Sequence, residues 1–232
     1  MIQLRVFRAI DDFETCQKFV EGHMKILKAF GITMITSANI QWFMDPNTYV
    51  IVAESTDNGR VLGGARVQVA GGKYPLPIIK AVEELDERIY DVIEEYTADG
   101  GVAELCGLWN SREIAGLGIG SVFLTRTAVA IATKINVKRM LALCAAYTVG
   151  MAENAGFEIA IGLGDKGTFY YPKEDLVATG MLLENSYVLD KADPEERAEI
   201  LALRENLFLV KMEKGRRNDF ELIYDLTIFK DK

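Results

Sequence analysis

Val102-Ala-Glu-Leu-Cys-Gly-Leu-Trp109, Asn110-Ser-Arg-Glu-Ile-Ala115, Gly116-Leu-Gly-Ile-Gly120 and Ser121-Val-Phe-Leu-Thr-Arg-Thr-Ala-Val-Ala-Ile-Ala132 follow one another without a break. An apolar run rich in strand formers enters a glycine-dense turn, and the turn opens into a segment whose apolar residues recur at helical spacing. The unpaired N–H groups at the head of such a helix, with its aligned peptide dipoles, favour bound negative charge. Glycines at 116, 118 and 120 let backbone approach a bulky anion. Two readings stay open on the glycines alone: a pyrophosphate site, or a turn that merely packs helix on sheet.

Two phosphate motifs are excluded. A P-loop ends Gly-Lys-Ser/Thr, whereas Gly120 is followed directly by Ser121. A dinucleotide fingerprint reads Gly-x-Gly-x-x-Gly with an acid closing the next strand. From Gly116 the third glycine position is Ser121, and the next strand ends Leu143-Cys-Ala-Ala-Tyr147.

The stretch Ala115-Gly-Leu-Gly-Ile-Gly-Ser-Val-Phe-Leu124 resembles the acetyl-CoA loop of the GNAT superfamily of N-acetyltransferases, Gln/Arg-x-x-Gly-x-Gly/Ala at a helix start. Downstream, Met151-Ala-Glu-Asn-Ala-Gly-Phe157 resembles that family's Tyr-Glu-Lys-Leu-Gly-Phe segment. The resemblance spans about residues 1 to 162. It implies an α/β (α+β) fold: a mixed, mostly antiparallel central sheet flanked by helices and splayed between its fourth and fifth strands, where pantetheine lies. It also implies acetyl-CoA or another acyl-CoA as co-substrate, no metal, and backbone N–H groups of Leu108, Trp109 and Asn110 facing the pantetheine and thioester. Ala115, Gly116, Leu117, Gly118, Ile119, Gly120 and Ser121 would hold the diphosphate. Two positions depart from the pattern: Ala115 replaces the Gln/Arg, with Arg112 a substitute only if the preceding turn is rearranged, and Ala152 replaces the tyrosine that serves the family as general acid.

Length and composition agree with one domain over 1–232, a core to about 162 and an elaborated C-terminal part from about 163. The net charge of −8 opposes nucleic-acid or anionic-membrane partners, and the basic cluster Lys211, Lys214, Arg216 and Arg217 reads as a solvated turn. Cys16, Cys106 and Cys144 form neither a disulfide framework nor a metal spacing and read as small core residues. With no signal-peptide pattern and no apolar run of roughly 18 to 20 residues, a reducing cytoplasmic setting is expected. A homodimer is left open.

In chain order, strands are expected at 2–8, 49–54, 61–69, 102–109, 138–146, 158–163, 181–189 and 220–229. Asn58-Gly59 marks a hairpin. Helices are expected at 13–30, 79–96, 118–134, 148–155 and 195–209, the 79–96 helix being an insertion with an acidic outer face. Trp42 and Phe43 either cap the core or wall the acceptor pocket. His23, the sole histidine, reads as structural or surface-exposed, and its solitude makes a Ser-His-Asp or Cys-His enzyme a poor reading.

Thioester-to-amine transfer needs a base for the amine proton, a polarised carbonyl and a proton for the thiolate. Glu104, an acid in an apolar strand, is the base candidate, or only an edge charge if its side chain turns to solvent; alternation places it with Cys106 and Leu108. Tyr147 is the acid candidate, ahead of Cys144 and Ser121. The leading function is an acyl-CoA-dependent N-acyltransferase acting on a small-molecule amine. The alternatives are an N-acyl amino acid or acyl-homoserine-lactone synthase fed by acyl carrier protein, against which Gly107 stands where Glu-x-x-Arg needs arginine, and a non-catalytic acyl-CoA sensor.

Overall fold

The computed structural model describes residues 1–32, 40–215 and 218–228. The chain begins with β1 (Ile2–Arg8), α1 (Phe13–Ala29), β2 (Thr48–Ser55) and β3 (Val61–Val69). Two short helices, α2 (Pro77–Val82) and α3 (Ile89–Ala98), lead into β4 (Val102–Asn110). Next come α4 (Arg112–Gly116), α5 (Ser121–Ile131), β5 (Arg139–Ala145), α6 (Val149–Asn154) and the two-residue β6 (Glu158–Ile159). The remainder is β7 (Thr168–Tyr170), β8 (Val177–Leu183), α7 (Pro194–Glu205), β9 (Phe208–Glu213) and β10 (Phe220–Asp225).

Among the described residues the strands form one sheet in the order β6-β8-β5-β4-β3-β2-β1-β10-β9, with β7 beside β8. Only β4/β5 and β1/β10 pair in parallel. The fold class is therefore the mixed, mostly antiparallel sheet that the sequence suggested. The tail is woven into it at both ends, since β8 pairs with β5, and β10 with β1.

Strand alternation divides the sheet's two faces. Leu4, Ile51, Val67, Leu105 and Ala103 pack with Leu124 and Val129 of α5 and Ile200 of α7 in one large apolar layer. The opposite face carries two separate clusters. Phe19 of α1 packs with Trp42, Val50 and Trp109; Ile78, Val82, Ile89 and Ile93 of α2 and α3 pack with Val102 and Leu141. No described helix is long and apolar enough to cross a membrane.

Several expectations are corrected. The helix expected over 79–96 is broken in two between Val82 and Ile89, where the Asp86 carboxylate accepts from Arg88 N–H (3.1 Å) and from Gly164 N–H (2.7 Å). The helix expected from 118 begins at Ser121, since Gly118 has φ +87°, and a separate turn of helix, α4, precedes it under the Ser111 cap. The strand expected over 181–189 is Val177–Leu183; beyond it Asn185 Oδ1 accepts from Tyr187 and Val188 N–H, and Leu189 takes φ +55°. The strand at 158–163 shrinks to Glu158–Ile159. The helix expected over 195–209 stops at Glu205, and Phe208–Glu213, containing Lys211 of the supposed turn, is strand β9. Arg216, Arg217 and Phe229, the end expected for the last strand, lie outside the described residues.

α5, α7, β9 and β10 are tied by one buried polar cluster. Arg126 reaches Glu196 through Nε (2.9 Å) and Nη2 (2.7 Å) and Glu213 through Nη1 (3.2 Å), while Tyr224 Oη donates to the same Glu213 oxygen (2.7 Å).

Candidate active site

The site is built around a fault in β4. Gly64 pairs with Trp109 and Arg66 with Cys106, so two steps on β3 match three on β4. The extra residue is a β-bulge, and Gly107 takes it at φ +60°, a conformation glycine adopts without strain. Beyond the bulge the facing of the strand is reversed: Leu108 packs toward the α5 layer and Trp109 toward α1. Leu108 therefore does not share a face with Glu104 and Cys106, contrary to uninterrupted alternation.

On its other side β4 loses its partner. Its pairing with β5 ends at Leu105 and Ala142, although β4 continues to Asn110 and β5 to Ala145. A gap opens there, as the expected splay requires. Ser111 N–H donates to Leu62 O (2.7 Å), so the antiparallel alternation turns the Asn110 and Leu108 N–H groups toward this gap and leaves Trp109 N–H facing β3. Of the three expected strand donors, two thus face the opening.

The glycine turn lies at the same end of β4. Ala115 and Gly116 close α4, Leu117 is exposed, Ile119 is buried, and Gly120 is the residue before α5. A side chain at Gly116 would meet nothing within 4 Å, and one at Gly120 only the Val122 amide and methyl at its edge, so the space in front of the turn is open. Among the described residues no acceptor engages the N–H groups of Gly120 and Val122. Ser121 N–H is taken: with the Asn110 amide oriented to satisfy both ends, Oδ1 accepts from Ser121 N–H (3.0 Å) and Oγ (3.1 Å), while Nδ2 donates to Trp109 O (3.0 Å). This side chain ties the end of β4 to the head of α5. The Gly120 and Val122 amides and the open space before them are what this turn offers to an anion. Arg112 is exposed at the first position of α4.

Between the two apolar clusters on the α1–α3 face lies a buried polar patch. Arg66 and Gln68 of β3 stand opposite Cys106 and Glu104 of β4, and all four are buried. Glu104 Oε2 accepts from Ile78 N–H at 2.7 Å, at the start of α2. Burial pushes its carboxyl up to about 7, with the Ile78 N–H and the Arg66 charge opposing only in part. The same burial pushes the Cys106 thiol up to about 12, which removes it as a thiolate nucleophile near neutral pH. His23 is buried rather than surface-exposed, and burial, helped by the Arg66 charge, lowers it to about 4, so it is neutral. Trp42 and Phe43 are both buried, and Trp42 also walls a cavity over the patch.

Tyr147 stands apart. It follows β5 in a short turn and is 84% exposed. Ala152, at the tyrosine position of the second motif, is buried in the α5 layer.

Sequence comparison finds no matching protein-family model and no matching curated protein. Comparison of structures does find relatives in shape. The chain is similar to FeeM, an N-acyl amino acid synthase from uncultured soil microbes (TM-score 0.58, 11% identity, covering 83% of this chain and 99% of that one). It is similar to BjaI, a CoA-dependent acyl-homoserine lactone synthase solved with SAM and isopentyl-CoA (0.53, 12%, 86% and 90%). It is also similar to an acyl-CoA N-acyltransferase from Pseudomonas aeruginosa (0.53, 11%, 77% and 97%). At these identities the likeness is one of fold alone: the chain shares the mixed, mostly antiparallel sheet flanked by helices with these proteins.

Proposed function

We propose that this protein is an acyl-CoA-dependent N-acyltransferase that acylates a small-molecule amine by direct attack, with acetyl-CoA the first donor to test. The observation that carries the reading is the coincidence, at one end of β4, of the parted strands, the inward-turned N–H groups of Leu108 and Asn110, and the open turn at the head of α5. A diphosphate on the Gly120 and Val122 amides would leave the pantetheine arm running along the gap, and the strand N–H groups would polarise the thioester carbonyl.

Glu104 is the base in this reading. The amine nitrogen bonds to the acyl carbon as the carbon–sulfur bond breaks, and the nitrogen's proton passes to the Glu104 carboxylate, directly or through one water. A carboxyl poised near 7 is half ionised at neutral pH, which suits a group that must both take and release a proton. The departing thiolate takes its proton at the solvent-facing mouth, from Tyr147 or from water. The reaction needs no metal.

The test is to incubate the protein with acetyl-CoA and longer acyl-CoA donors against a panel of amines and to follow free thiol. Thiol release that depends on the amine, with an acylated product of matching mass, is expected. Coenzyme A binding without thiol release for any acceptor, any acyl length or an acyl carrier protein donor would make this a sensor instead.

A further inference from the structure

We propose that Arg66 and Trp42 form a carboxylate-binding subsite, so that the amine this protein acylates carries a carboxylate close to its nitrogen, as an α-amino acid does. The proposal deepens the N-acyltransferase reading and rests on it for the fate of the amine.

Arg66 is 1% exposed in the middle of β3. Its Nε is spent on Cys106 Sγ at 3.3 Å, and its guanidinium lies over the Trp42 ring at 4.7 Å. Among the described residues its Nη1 has no hydrogen-bond partner, nor does the buried Trp42 Nε1. Buried donors are almost always paired, and an unpaired guanidinium nitrogen is the costliest kind to leave. The two residues that carry these donors line one cavity of about 40 Å³. Gln68, also on its wall, has its amide N–H groups taken by Tyr74 O (3.1 Å) and Pro75 O (3.0 Å), which fixes the cavity's roof. Lys80 adds a second cation to the lining, and among the described residues no acid lines the space.

Chemistry then selects the occupant. A carboxylate offers two oxygens to two orphaned donors and adds to the partial compensation that ionised Glu104 gives the buried Arg66 charge, which a neutral or cationic group cannot do. A void of this size exceeds the roughly 10–15 Å³ that a single water requires, so it has room for a carboxylate head group. Glu104 lies one residue pair along the same sheet face, opposite Gln68. Glu104 does not itself line the cavity, so a carboxylate held at Arg66 would place an adjacent amino group on the base's side of the patch.

The test compares acceptors that differ only in the carboxylate: L-phenylalanine against phenethylamine, L-leucine against isoamylamine, and glycine against methylamine. Binding to the full chain is read without any acyl donor, by calorimetry and by quenching of tryptophan fluorescence. At least one amino acid should bind tenfold or more tightly than its decarboxylated partner. Arg66→Met should abolish that preference, and Arg66→Lys should keep only part of it, because lysine lacks the planar fork. Equal binding across every pair, no binding by any amino acid, or a preference that survives in folded Arg66→Met protein would overturn the subsite. Should Arg66→Met not fold, the wild-type comparison and Arg66→Lys decide the matter. A carboxylate preference without thiol release would sink the transferase reading and leave the subsite standing; thiol release without the preference would do the reverse.

Discussion

Replacing Glu104 with glutamine will lower turnover by about 10²–10⁴-fold, the usual worth of a positioned general base, and leave coenzyme A affinity unchanged. Glutamine keeps the volume and, through its carbonyl oxygen, the hydrogen bond from Ile78 N–H, so what is lost is the capacity to take a proton. Wild-type rate should fall as pH drops below about 7, where burial has placed the carboxyl, and the variant should lack that limb. The same shift predicts stability. The folded-state value lies above the ordinary glutamate value of about 4.5, so between about 4.5 and 7 the native protein holds a proton that the unfolded chain releases. Glu104 therefore costs stability progressively as pH rises through that window, on the order of 3 kcal/mol once above it. Glu104→Gln should gain on wild type between pH 5 and pH 8 in urea unfolding. Parallel stability curves together with an unchanged pH–rate profile would show that Glu104 is a bystander.

Removing the Arg126 side chain should cost about 3–5 kcal/mol, the range for breaking a buried ion pair and stranding its partners. Arg126→Met leaves the buried Glu196 carboxylate without its cation and Glu213 with only the Tyr224 hydroxyl and the half-buried Lys211 ammonium at 3.7 Å. The loss should appear as a lower urea midpoint with little change in slope. The Arg60–Glu113 pair is the control: at 2.7 Å it is as short, but both side chains are half exposed, so Arg60→Ala should cost at most about 1 kcal/mol. Equal losses for the two variants would mean that burial does not set the value of these pairs.

Much of the frame is legible in the sequence, because the signals are local. The Asn58-Gly59 hairpin forms where expected, with Ser55 N–H on Arg60 O (3.0 Å) and Gly59 at φ +63°. The first four strands fall within a residue or two of their expected bounds. The strand-to-turn-to-helix order around Gly116–Gly120 holds, and so does the Gly156 turn, where φ is +97°. What escapes is what depends on distant partners. The 79–96 pattern is helical throughout, but the Gly164 N–H that binds Asp86 between the two helices lies far along the chain. A glycine within a strand hints at a bulge, yet only the β3 register shows that Gly107 is one and that Leu108 changes face.

Arg66 is the instructive omission. In Leu62-Gly-Gly-Ala-Arg-Val-Gln-Val69 it looks like the polar side of a half-exposed strand, because alternation reveals a face and not what covers it. The cover comes from α1, Trp42 and the 74–80 segment, none of which is adjacent in sequence. Trp42, named as a candidate wall, is the one hint the sequence holds.

The central claim is that the open amides at the head of α5 grip the diphosphate of coenzyme A. Calorimetric titration of coenzyme A into wild type and into Gly120→Asp protein tests it most directly. Gly120 has φ −89° and free space at its Cβ position, and aspartate is at least as good as glycine before a helix, so the variant should fold with undiminished stability. Its carboxylate would occupy the anion's place and repel it. The account predicts saturable binding to wild type and a loss of at least about tenfold in the variant, the effect of a repulsive charge worth about 1.4 kcal/mol. No heat of association with wild type, or equal affinity in the two proteins, would contradict it.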